Sequence, residues 1–146
     1  MYLSGRIVSD SMHPLLCVND VIILNRISFQ NLSKGDIVSV CNNHKYYAHR
    51  IIRKYRDAFY TKGDNNTYID SVMLHPGNYV GKVKYRMCES GLMDLDTDVF
   101  YRAELYHKDN DSYYVYLLSD HYLVLDASFN KCRRIEDIKQ WEEAIL

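Results

Sequence analysis

Two serines two positions apart, Ser9 and Ser11, stand in the stretch Ser9-Asp10-Ser11-Met12-His13-Pro14. A serine hydroxyl in a polar stretch ordinarily decorates a turn. It becomes a nucleophile when a base takes its proton and a third group holds the base in the right tautomer. Both partners are available downstream. His49 heads the apolar run Ala48-His49-Arg50-Ile51-Ile52, and two acids, Asp64 and Asp70, lie within and just after Lys62-Gly63-Asp64-Asn65-Asn66. Ser11, His49 and one of these aspartates make up the set that acyl transfer through a serine requires. Asp64 competes with Asp70 for the third role, although an Asp in such a turn also commonly bonds nearby backbone amides.

These stretches together resemble the signal-peptidase I superfamily of serine proteases, which also contains the LexA-type self-cleaving repressors. The likeness is to the Ser-His branch, with the archaeal and reticulum signal peptidases. It is carried by Ser9, Ser11, Met12 and Pro14 for S-x-S-M-x-P, by Gly35-Asp36-Ile37-Val38, by His49-Arg50-Ile51, and by Gly63-Asp64-Asn65-Asn66 followed by Asp70. Val80-Gly81-Lys82-Val83 closes the series, so the motifs run in order over residues 5 to 84. A single motif of this kind is weak evidence, and several in register are specific.

The resemblance implies a mainly β catalytic fold with Ser11 as nucleophile, His49 as base and Asp70, rather than Asp64, as the orienting acid. It implies that Ser9 helps the Ser11 backbone N–H form the oxyanion hole, a donor whose loss costs about 10²- to 10³-fold in kcat. Where the LexA-like branch has Lys, this chain has His. A base titrating near neutral pH follows, with activity falling below roughly pH 6. Arg50, on the opposite face of its strand, takes a packing or salt-bridge role.

The elements that must position these groups read as strands. Residues 1–8 form a short strand leading to the nucleophile turn. Pro14 fixes its own φ and pushes His13 towards extended backbone, which predicts an extended stretch around Ser11 with Leu15, Leu16 and Val18 packed beneath it. Val21-Ile22-Ile23-Leu24 is a buried strand, entered through Asn19-Asp20 where the family has Gly-Asp. Ile37 to Cys41 and Tyr46 to Tyr55 pair as a hairpin around Asn42-Asn43-His44, with His49, Ile51 and Arg53 sharing one face. Phe59 to Thr61 and Tyr79 to Met87 complete a catalytic unit over residues 1–87.

Residues 88–146 read as an appendage. Val99 to Tyr106, Tyr113 to Leu118 and Tyr122 to Leu125 form a meander, although Leu92, Leu95, Val99 and Ala103 also fit a helical face. Ile135, Ile138, Trp141 and Ile145 fall on one helical stripe and predict an amphipathic C-terminal helix, so the whole is α+β with β dominant.

Composition narrows the function. At 146 residues the chain can bury roughly 70% of its unfolded surface, and 47% hydrophobic with 25% charged residues is an ordinary globular balance. A net charge of −1 gives no electrostatic case for nucleic acid. The four cysteines have neither C-x-x-C pairing nor histidines at zinc spacing, which reads as reduced, buried thiols with no metal and no cofactor. The 14 tyrosines read as sheet surface. No apolar run is long enough to span a bilayer and no signal peptide precedes Ser9. The expectation is a soluble, cytoplasmic serine endopeptidase acting on a leader-type peptide or precursor protein. It would reach a membrane, if at all, through a protein partner held by the C-terminal region. The competing readings are a non-catalytic peptide-binding module and a LexA-like self-cleaving regulator.

Overall fold

The computed structural model describes residues 2–88, 91–108, 110–118, 122–126 and 132–135. Eleven strands account for most of them: β1 Tyr2–Arg6, β2 Val21–Asn25, β3 Ile37–Asn42, β4 Lys45–Tyr55, β5 Ala58–Lys62, β6 Tyr79–Cys88, β7 Gly91–Asp94, β8 Phe100–Lys108, β9 Asp111–Leu117, β10 Tyr122–Asp126 and β11 Cys132–Ile135. Every tyrosine except Tyr68 lies in a strand. Aromatic rings fit the pleated, half-buried surface of a sheet, and the tyrosine excess follows from that.

The sheet is antiparallel throughout and built around β6. Lys82 of β6 sits opposite both Val38 of β3 and Asn25 of β2, and Tyr85 sits opposite both Ile23 of β2 and Asp94 of β7. A strand has only two edges, so β2 occupies one edge and β3, then β7, divide the other. From this fork β3-β4-β5 runs one way and β7-β8-β9-β10-β11 the other, while β1 pairs with the outer edge of β2. β11 comes back to lie against β1.

Local chemistry explains the joints. Asn43 and His44 take φ of 51° and 63°, the twin left-handed conformation of a two-residue hairpin loop between β3 and β4. Asn19 adopts φ of 75°, a left-handed conformation that asparagine tolerates better than most residues. Between Ile51 and Arg53 the β4–β5 register slips by one residue. The bulge ends the simple alternation expected for His49, Ile51 and Arg53: Ile51 is buried and Arg53 is exposed.

Three apolar clusters fill the interior. One, beneath the first strands, contains Met12, Leu16, Ile22, Leu24, Ala48 and Val83. A second holds Val38, Val40, Ile51, Phe59 and Leu74, and the third gathers Ile23, Leu92, Tyr116 and Leu123 across β2, β7, β9 and β10.

Several expectations need correcting. The backbone at Ser11 is a turn and not an extended stretch. The His13 N–H donates to the Asp10 carbonyl and the Leu16 N–H to the Met12 carbonyl, both at 3.0 Å. The decisive factor is burial: residues four apart share one side of such a turn, and Met12 and Leu16 are 1% and 0% exposed. Each contributes roughly 1.5–3 kcal/mol by leaving water. Val18, expected beneath the turn, is exposed. Leu92 and Ala103 belong to strands β7 and β8, so the helical alternative falls. Ile135, assigned to a C-terminal helix, ends strand β11, and residues 136–146 lie outside the described residues. Cys17 and Cys41 are free but only half-buried.

Candidate active site

Ser11 opens the turn seated by Met12 and Leu16, and a second loop clamps that turn from above. The Asn65 N–H donates to the Ser11 carbonyl at 2.8 Å and its side-chain amide to the Asp10 carbonyl at 3.1 Å. The Asp64 N–H meets the Met12 sulfur at 3.3 Å. Gly63 makes this approach possible. A Cβ there would lie 2.8 Å from the Ser11 carbonyl oxygen and 2.6 Å from the Asn66 side-chain nitrogen, closer than carbon packs against either. We expect Gly63→Ala to displace the turn that carries Ser11 and to lower kcat/KM of any reaction catalysed there by about 100-fold, since even a 1 Å misplacement of reacting groups can cost that much. Its thermal unfolding midpoint should fall as well. Parent-like kinetics would show that the close approach is dispensable.

His49 lies on β4 opposite Val38 of β3, which aims its ring at the turn. Its Nε2 is 3.1 Å from Ser11 Oγ and its Nδ1 2.5 Å from Asp70 Oδ2. Asp70 is placed by the segment that follows it. The Asp70 N–H donates to the Thr61 carbonyl at 2.9 Å, and Leu74 exchanges both backbone hydrogen bonds with Phe59, so residues 70–74 run along the outer edge of β5. The His49 and Asp70 side chains are only 10% and 11% exposed.

The geometry assigns the protons. A carboxylate can only accept, so Nδ1 carries hydrogen towards Asp70 and Nε2 offers a lone pair to the Ser11 O–H. With that hydrogen committed, the 3.2 Å contact between the two serine hydroxyls is donated by Ser9. Among the described residues no acceptor engages the Ser11 N–H, leaving it beside the Ser9 hydroxyl as a second donor. The Tyr47 ring packs on the His49 ring with centroids 4.8 Å apart. Burial, and then the Asp70 charge, push the Tyr47 hydroxyl above its ordinary range, so it stays neutral.

Of the sequence candidates, Ser11, His49, Asp70 and Ser9 come together. Asp64 does not join them. Its two oxygens accept from Arg50 Nε and Nη2, each at 2.8 Å, and Arg50 also donates to the Gly35 carbonyl at 2.9 Å. Hydrogen bonding to Asp64 holds the guanidinium more firmly charged than usual. The pair ties the Gly35-Asp36 turn to the loop that clamps Ser11. Thr61 and Tyr47 were not singled out from sequence; each reads there as a strand residue of ordinary β-forming type.

A groove of about 460 Å³ opens beside Ser11, between β1 and the start of β4. Leu3, Ile7, Leu24, Ala48 and Val80 give it apolar walls. No cluster of potential metal ligands occurs among the described residues, nor any helix long and apolar enough to cross a membrane. Compared with protein families, curated proteins and solved structures, the chain finds no match in any of the three.

Proposed function

We propose that this protein is a serine endopeptidase resembling the Ser-His signal peptidases, cutting an extended leader-type segment through an acyl-enzyme on Ser11. The observation that carries this reading is the continuous contact of hydroxyl, imidazole and carboxylate: 3.1 Å from Ser11 Oγ to His49 Nε2 and 2.5 Å from His49 Nδ1 to Asp70. Both lie close to hydrogen-bond reach for a nucleophile and its base.

In the mechanism Ser11 Oγ attacks the scissile carbonyl as its proton passes to His49 Nε2. The imidazolium so formed is stabilised by Asp70, and the oxyanion by the Ser11 N–H and the Ser9 hydroxyl, which turns from Ser11 Oγ towards it. His49 then gives its proton to the leaving amine. Water enters and attacks the acyl carbonyl as its proton passes to the same nitrogen; the ester bond then breaks, and His49 returns the proton to Ser11 Oγ as the acid leaves. The apolar groove beside Ser11 receives the side chains of an extended substrate.

The test is incubation with a panel of leader-type peptides, with products read by mass spectrometry. New termini at a defined bond are expected; retention of peptide without cleavage would leave a binding module instead. Protonated His49 cannot accept the Ser11 proton, so kcat/KM should climb with pH along an acid limb as the free base forms. A rate that does not change as pH is lowered would remove His49 from the mechanism.

A further inference from the structure

We infer that Thr61 is a positioning residue for this site, the outer member of a hydrogen-bonded chain that runs from Ser11 through His49 and Asp70. The inference rests on the peptidase reading for its kinetic part alone.

Thr61 sits on β5 opposite Ile51 of β4 and is 1% exposed. Its hydroxyl donates to Asp70 Oδ2 at 2.7 Å, the same oxygen that accepts from His49 Nδ1. Its carbonyl accepts the Asp70 N–H at 2.9 Å, so one residue grips both the backbone and the side chain of the acid. The direction of the hydroxyl bond is settled, because an ionised carboxylate has no hydrogen to give. Branching at Cβ restricts χ1 in a strand, which keeps Oγ1 aimed at its acceptor.

The consequence falls on His49. A carboxylate on a short side chain can rotate about its Cβ–Cγ bond. Two donors converging on Oδ2 resist that rotation and hold the oxygen where Nδ1 must remain the protonated nitrogen. Nε2 is thereby left as the acceptor facing Ser11. Thr61 lines neither the groove nor the space next to Ser11, so its effect reaches the reaction only through Asp70 and His49.

The test compares the parent with Thr61→Val, which keeps the shape and removes the donor, and with Thr61→Ser, which keeps the donor. Circular dichroism checks each fold, and Thr61→Ala takes the place of the valine variant if that one does not fold. Two readouts are taken: the split between kcat and KM on a cleaved peptide, and the ring-nitrogen NMR shifts of ¹⁵N-labelled His49 at neutral pH, which need no turnover. The expected result is a fall of about 10- to 100-fold in kcat with KM within twofold for the variant lacking the hydroxyl, the range for losing a hydrogen bond to a charged group. The His49 signals should move from one tautomer to a mixture, and serine should restore both readouts. A parent-like tautomer in the variant lacking the hydroxyl, whether or not kcat falls, overturns the inference. A tautomer shift in a protein that cleaves none of the peptides upholds the role of Thr61 and removes the peptidase reading instead.

Discussion

Replacing Ser11 by Ala should lower kcat by about 10⁴-fold or more, while the peptide still binds in the groove with its parent affinity. The contrast follows from what the hydroxyl touches. Ser11 Oγ contacts His49 Nε2 at 3.1 Å and Ser9 Oγ at 3.2 Å, and both contacts belong to the proposed reaction centre. The turn itself is held by Met12 and Leu16 in the core and by the Asn65 amide on the Ser11 carbonyl, which alanine leaves intact. Stability should therefore change by only about 1 kcal/mol, the net worth of a neutral side-chain hydrogen bond, whereas a loss of about 10⁴-fold corresponds to about 5.4 kcal/mol of transition-state stabilisation. Steady-state cleavage beside fluorescence binding of the same peptide separates the two. Product formed by the variant at the parent rate would remove Ser11 as nucleophile and with it the covalent mechanism.

The two aspartates should behave oppositely. Asp70→Asn is expected to reduce kcat by about 10⁴-fold, because an amide that presents N–H to Nδ1 turns that nitrogen into an acceptor and moves the ring hydrogen to Nε2, against Ser11. Thr61 donates to the same Oδ2 that faces Nδ1, so its hydroxyl draws the amide oxygen to that position and opposes this orientation, which makes about 10⁴-fold the upper end of the loss. Asp64→Asn breaks a bidentate pair whose partners are 33% and 27% exposed. Such pairs contribute about 0–1 kcal/mol, so its kcat should stay within a few-fold of the parent. Kinetics of the two variants on one peptide decide the assignment. A large loss in Asp64→Asn with a small one in Asp70→Asn would transfer the third role to the loop aspartate.

Residue types and order put forward Ser11, His49 and the two acids Asp64 and Asp70 before any coordinates, and the choice of Asp70 over Asp64 came only with the resemblance; the structure brings His49 into contact with Ser11 and Asp70. Strand positions were equally plain where β-branched residues cluster, as in Val21 to Leu24. Less legible were features decided at a distance. Pro14 argued for extended backbone at Ser11, but the joint burial of Met12 and Leu16 closes a turn there. The spacing of Leu92, Leu95, Val99 and Ala103 imitates a helix because the β7–β8 hairpin loop shifts the alternation. Thr61 carries no mark in sequence that separates it from any other strand threonine. Its partner lies nine residues on, in a segment without β-pattern that lines the edge of β5.

The forked pairing of β6 has an implication for how the chain can be cut. Its first half is shielded by β3 and its second by β7, on one and the same side. A polypeptide ending at residue 88 would bare the amides and carbonyls from Tyr85 onwards, a ready template for intermolecular pairing. The strands beyond that point thus sheathe the half of β6 that β3 leaves uncovered.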